Sequence, residues 1–137
     1  MKVFLDTNVL VDYLNKREPF FANASCIIDL CLSGQVKGVL SALSIVNAAY
    51  IMRKAYTRSS LQVKMGWLIN VFEISSIDEQ TIREAFASHA TDFEDAVQCF
   101  SALQADADLI VTRDASGFKD FPIPVMTPAD FLARCAE

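Results

Sequence analysis

Three aspartates stand where the chain changes character. Asp6 ends the apolar run Met1-Lys2-Val3-Phe4-Leu5, Asp95 lies at the start of a helical pattern, and Asp114 follows Leu109-Ile110-Val111-Thr112. Carboxylates delivered from separate junctions are the donors that Mg2+ and Mn2+ take, because these ions prefer oxygen and keep positions open for water and a phosphate oxygen. The chemistry they point to is metal-assisted hydrolysis of a phosphodiester. A covalent route has less support, since His89 is the only histidine and no Cys-His or Ser-His-Asp spacing accompanies it. Each aspartate also has an ordinary reading. Asp6-Thr7-Asn8 and Asp92-Phe93-Glu94-Asp95 have the composition of helix caps, and Asp114 precedes the turn residues Ser116-Gly117. What separates the two readings is whether the fold gathers all three.

The elements that would do the gathering alternate along the chain. Residues 2–6 read as a buried strand, followed at once by a helix to Lys16 with Val9, Leu10, Tyr13 and Leu14 at helical spacing. Pro19 opens a second helix that stops near Ser33 before Gly34. A strand is expected at Val36–Leu40, a helical hairpin over 43–56 and 59–71, and a third strand at Val71–Ser75. Helices over 78–89 and 93–105 lead to Asp108–Thr112, whose unbroken apolar centre fits a strand covered on both faces. A short strand at Val125-Met126 and a helix from Pro128 close the chain. This order predicts one domain over 1–137, a three-layer α/β/α sandwich with a mostly parallel sheet of four to five strands. In such a sheet, ligands bind beyond the carboxyl ends of the strands. Asp6 and Asp114 follow their strands and belong there; Asp106 and Asp108 precede theirs and belong at the opposite edge.

Charge is distributed unevenly. The net charge is −5, yet residues 30–72 contain no acid and carry +5, while residues 73–137 carry −9. The asymmetry fits a basic wall, built from Arg53, Lys54, Arg58 and Lys64, beside an acidic pocket that handles a polyanion through metal ions. A solvated helix face gives the same pattern. No apolar run is long enough to span a membrane, and Asp6 and Asp12 interrupt the N-terminal run before it resembles a signal peptide, so a cytoplasmic protein is expected. Cys26, Cys31, Cys99 and Cys135 form no Cys-x-x-Cys pair and are expected to be buried, reduced thiols.

Four segments together resemble the PIN-domain ribonucleases, which include the VapC-type toxins. They are Phe4-Leu5-Asp6-Thr7-Asn8-Val9-Leu10, Asp92-Phe93-Glu94-Asp95-Ala96, Leu109-Ile110-Val111-Thr112-Arg113-Asp114, and Pro124-Val125-Met126-Thr127-Pro128 with Phe131-Leu132. The resemblance implies an endoribonuclease using Mg2+ or Mn2+, with Asp6, Asp95 and Asp114 as the metal-holding acids. It implies supporting roles for Asp92, Thr7, Asn8 and Thr112, and a partner antitoxin, with a second copy of the chain as a further partner. Arg113 joins the basic hairpin residues as a candidate for RNA phosphate. Two positions depart from the family pattern. Asn47 stands where a glutamate is usual, and Gly117 where many bacterial members carry an aspartate. An amide oxygen can ligate a cation but cannot offset its charge. A PIN fold weakened in catalysis and acting as an RNA-binding or protein-interaction module is therefore the alternative. An aspartyl-nucleophile phosphatase fits less well, because Asn8 stands where such enzymes need a second acid.

Overall fold

The computed structural model describes residues 1–137. Five strands form one sheet: β1 (Lys2–Leu5), β2 (Lys37–Ser41), β3 (Glu73–Ser75), β4 (Leu109–Val111) and β5 (Val125–Met126), in the order β3-β2-β1-β4-β5. Every neighbouring pair is parallel. The helices are α1 (Thr7–Leu14), α2 (Phe21–Leu32), α3 (Ala42–Met52), α4 (Arg58–Val71), α5 (Glu79–Ala87), α6 (Phe93–Gln104) and α7 (Pro128–Cys135). The observed elements match the expected ones apart from shifts at their ends.

The central strand shows why the layers form. Val3 and Leu5 face a core shared with α1, α2, α3, α4 and α7, whereas Phe4, between them, faces Cys99 and Ala102 of α6. This two-residue alternation buries both faces of the sheet. Gly38 in β2 is required by packing: a Cβ there would meet the Phe72 ring at 2.6 Å and Cys31 Sγ at 2.9 Å. Side-chain caps fix the starts of every α-helix but α2, with Thr57 accepting from the Ser60 amide, Asp78 and Thr81 forming a reciprocal box, and Thr127 capping a helix that has Pro128 in its first turn. No helix is long and apolar enough to cross a membrane.

The thiols depart in part from expectation. Cys99 is buried and Cys31 half-buried, and burial pushes their thiols up to about 12 and about 11. Cys26 and Cys135 are exposed instead, because each falls on the outer side of its helix.

Strand order matters most for function. The chain builds outward from β1 through β2 to β3, then returns to place β4 on the other side of β1. Loops after β1 and β4 therefore diverge at the switch in order, which opens a crevice at their carboxyl ends. Asp6 and Asp114 leave the sheet there. Asp108 lies at the other edge, where its carboxylate accepts from the Lys2 amide at 2.7 Å.

Candidate metal centre

Asp6 is held from two sides. It is 7% exposed, its Oδ1 accepts from Gln98 Nε2 at 3.1 Å, and its Oδ2 accepts from Thr112 Oγ1 at 2.8 Å. Thr112 is a hub: its hydroxyl also accepts from Asn8 Nδ2 at 3.2 Å and from the Asp114 amide at 3.1 Å. One buried hydroxyl thus links the acid after β1 to the backbone of the acid after β4. Gln98 extends the network, donating to Ser44 Oγ at 2.7 Å and accepting from Ser41 Oγ, while Thr7 Oγ1 lies 2.9 Å from Ser44 Oγ. The third source of carboxylates is α6. It runs antiparallel to the strands, so its first turn, with Asp92 capping the Asp95 amide at 3.1 Å, reaches the same crevice. Negative side chains at a helix N-terminus are favoured by the exposed amides.

Asp6, Asp92, Glu94, Asp95 and Asp114 all line one cavity of about 290 Å³, together with Thr7, Asn8, Val11, Arg17 and Ile51. Mutual repulsion is evident in the acids. Burial first, then the charges of Asp92, Asp6, Asp114 and Glu94, push the Asp95 carboxyl up to about 7. Burial, followed by Asp6 and Asp92, likewise holds Glu94 above the ordinary carboxylate range. Such a donor set, all oxygen and without enough neighbouring positive charge, suits a hard divalent cation. As the side chains stand, no three acidic, cysteine or histidine groups are gathered tightly enough to hold an ion.

Gly117 marks the closest approach. A Cβ at this position would lie 2.8 Å from Asp95 Oδ2 and 2.9 Å from Asp114 Oδ2, so both oxygens occupy the space a side chain would fill. The aspartate that the family resemblance leads one to expect at 117 has no room without displacing them. Gly117→Ala should weaken Mn2+ binding about tenfold, the scale of changes that disturb ligand orientation, while leaving thermal stability nearly unaltered. Titration calorimetry with Mn2+ beside a melting curve checks both halves of this expectation.

The structure places the other candidate residues less uniformly. Asn47, on α3, donates from Nδ2 to Glu94 Oε1 at 3.3 Å. Glu94, which sequence reasoning passed over as capping chemistry, thus supplies a carboxylate beside the position where α3 lacks one. Arg113 is committed elsewhere. Its guanidinium grips Asp12, 1% exposed, at 2.6 and 3.2 Å and lies over the Phe20 ring at 4.0 Å. Removing it would strand a buried charge, so Arg113 is a structural ion-pair partner rather than a free phosphate contact. The hairpin cations also miss the cavity. Arg53 stacks on Tyr50 at 3.6 Å, Lys64 sits 4.9 Å from the Tyr56 ring centre, and Lys54 and Arg58 lie at the exposed end of the hairpin. None of the four lines the cavity; the cation that does is Arg17.

A family model for the PIN domain matches residues 2–116. The chain belongs to the PIN-domain family. Solved PIN structures share its fold. VapBC2 from Rickettsia felis, bound to a DNA fragment from its promoter, is 18% identical with a TM-score of 0.66, covering 93% of this chain and 98% of that one. A toxin-antitoxin complex from Klebsiella pneumoniae is 18% identical with a TM-score of 0.70, covering 92% and 97%. VapC20 from Mycobacterium tuberculosis, described as a toxin cleaving the sarcin-ricin loop, is 12% identical with a TM-score of 0.61, covering 79% and 86%. No curated protein sequence matches this chain. The PIN assignment accounts for the parallel sheet.

Proposed function

We propose that this PIN-domain protein is an endoribonuclease dependent on Mg2+ or Mn2+, a single domain over 1–137 acting as a VapC-like toxin restrained by an antitoxin. The observation that carries the reading is the convergence of Asp6, Asp95 and Asp114 on one cavity at the switch in strand order. Asp6, Asp95 and Asp114 would hold the cation, with Glu94 and Asn47 at its margin. When bound, the cation would lower the pKa of water and offset charge on the phosphate under attack. The protein's own part is to keep the donors aligned. Thr112 and Gln98 fix the two Asp6 oxygens, Asn8 fixes Thr112, and Asp92 anchors the turn that carries Asp95. No nucleophilic side chain is needed.

An antitoxin partner is supported by the toxin-antitoxin complexes among the structural relatives. A second copy of the chain is a further partner in this reading. Incubation of a structured RNA with the purified protein and Mn2+ should yield discrete fragments, and chelation by EDTA should abolish them. Cleavage that persists in EDTA would overturn the metal-dependent reading. The alternative, a catalytically weakened module that binds RNA or protein, rests on Asn47 and is separated from the first reading by Asn47→Glu, whose expected outcome is given in the Discussion.

A further inference from the structure

Three acids of the site form a wall shared by two cavities, while Asp6 and Glu94 line only the first. Asp92, Asp95 and Asp114 line the 290 Å³ cavity described above, completed by Thr7, Asn8, Val11 and Ile51, and also a second of about 460 Å³ completed by residues from 88–91 and 116–122. Each cavity has one lysine or arginine in its lining, Arg17 in the first and Lys119 in the second. Both side chains are exposed, and neither belongs to the four ion pairs of the molecule, which engage Lys2, Lys37, Arg83 and Arg113. Arg17 is positioned by the backbone. Its amide donates to the Asp12 carbonyl at 3.0 Å, just past Lys16, whose φ of 49° turns the chain out of α1 and back toward the acids. Lys119 follows the 3-10 turn Ala115–Phe118, which contains Gly117, and its amide approaches the Ser116 carbonyl at 3.5 Å.

A single RNA strand crossing the acid wall would meet strong repulsion wherever its phosphates are not neutralised. We propose that Arg17 and Lys119 hold the backbone phosphates flanking the bond to be cleaved, one on each side of the wall, and so set how the strand lies across it. This inference rests on the ribonuclease reading above. Arg17 and Lys119 are substrate-positioning residues, and the basic α3–α4 hairpin is not required for this contact.

The test is the salt dependence of binding of a short fluorescein-labelled RNA of randomised sequence, read by anisotropy with Ca2+ replacing Mn2+ and strand integrity checked on a gel. Each neutralised phosphate on a single strand contributes about 0.7 to the slope of log affinity against log salt. Arg17→Gln and Lys119→Gln should each lower the slope by about 0.7, and the double variant by about 1.4. Arg83→Gln, which breaks only the exposed pair with Glu79, should leave it unchanged. Mn2+ affinity without RNA should not weaken in either variant. Unchanged slopes, or an Arg17→Gln protein altered only in Mn2+ affinity, would overturn the proposal and make Arg17 an internal counter-charge. If the unaltered protein cleaves RNA and Asp95→Asn abolishes that cleavage, but both cation variants keep the unaltered salt slope, the ribonuclease reading stands and this one is rejected. Failure of the unaltered protein to bind the RNA would reject both.

Discussion

Asp95→Asn should reduce RNA cleavage by about 10³-fold and, in the metal-free protein above pH 7, raise thermal stability. The rate loss corresponds to about 4 kcal/mol of transition-state stabilisation, the scale expected when a charged donor leaves a metal site. The stability gain has the opposite origin. Asp95 has its carboxyl pushed up to about 7 by burial and by four acidic neighbours, so the folded protein favours its protonated form more than the unfolded chain does. Below about pH 4 the group is protonated in both states and this contribution is fully present; as pH rises through 7 the folded state must ionise it against repulsion and the contribution is lost. Asparagine removes that penalty. Because Asp95 is substantially solvated, screening limits the gain to about 1 kcal/mol. Melting curves from pH 5 to 8, with EDTA, should fall more steeply for the unaltered protein than for the variant. A variant that loses both activity and stability at every pH would assign Asp95 a structural role only.

The second large effect concerns Glu94 and Asn47. Glu94→Gln should lower cleavage about 10- to 100-fold, as expected for a carboxylate at the margin of a metal site. Asn47→Glu alone should bring no comparable gain, because it sets a second carboxylate against the one that Asn47 now contacts at 3.3 Å. In the Glu94→Gln background, however, Asn47→Glu exchanges the two ends of the same contact and returns the carboxylate to α3. The double variant should recover most of the lost activity, giving a coupling energy that the two single changes do not predict. A large gain in Mn2+ affinity and cleavage from Asn47→Glu alone would instead show a degenerate natural site. Glu94→Gln with full activity would show that three acids suffice.

Much of this arrangement was legible in the sequence, for physical reasons that also explain the omissions. Asp6 and Asp114 could be placed because apolar runs mark β1 and β4, and a parallel sheet exposes their carboxyl ends to a common crevice. Asp95 could be placed because Asp92 caps a helix that must return antiparallel to the strands. Glu94 escaped notice because Asp92-Phe93-Glu94-Asp95 has the composition of a helix cap, which does not tell which of its carboxylates border the cavity. Gln98 carried a signal that went unused: it is a polar residue inside the apolar run Ala96-Val97-Gln98-Cys99, one turn beyond Asp95. A buried amide requires partners, and Asp6, Ser41 and Ser44 provide them. Arg17 and Arg113 were the least legible. The partner of Arg113 lies 101 residues away in sequence, and the route of Arg17 to the acids depends on one positive φ at Lys16. Charge bookkeeping along the chain pointed to the hairpin cations, which the fold turns toward Tyr50, Tyr56 and solvent.

The most direct measurement is the anomalous difference density of crystals soaked in Mn2+. The expected result is a Mn2+ peak in the cavity lined by Asp6, Asp95 and Asp114, with their carboxylates drawn toward it. Full Mn2+ occupancy elsewhere on the protein, or none in that cavity at saturating concentration, would contradict the assignment of these acids as a metal centre.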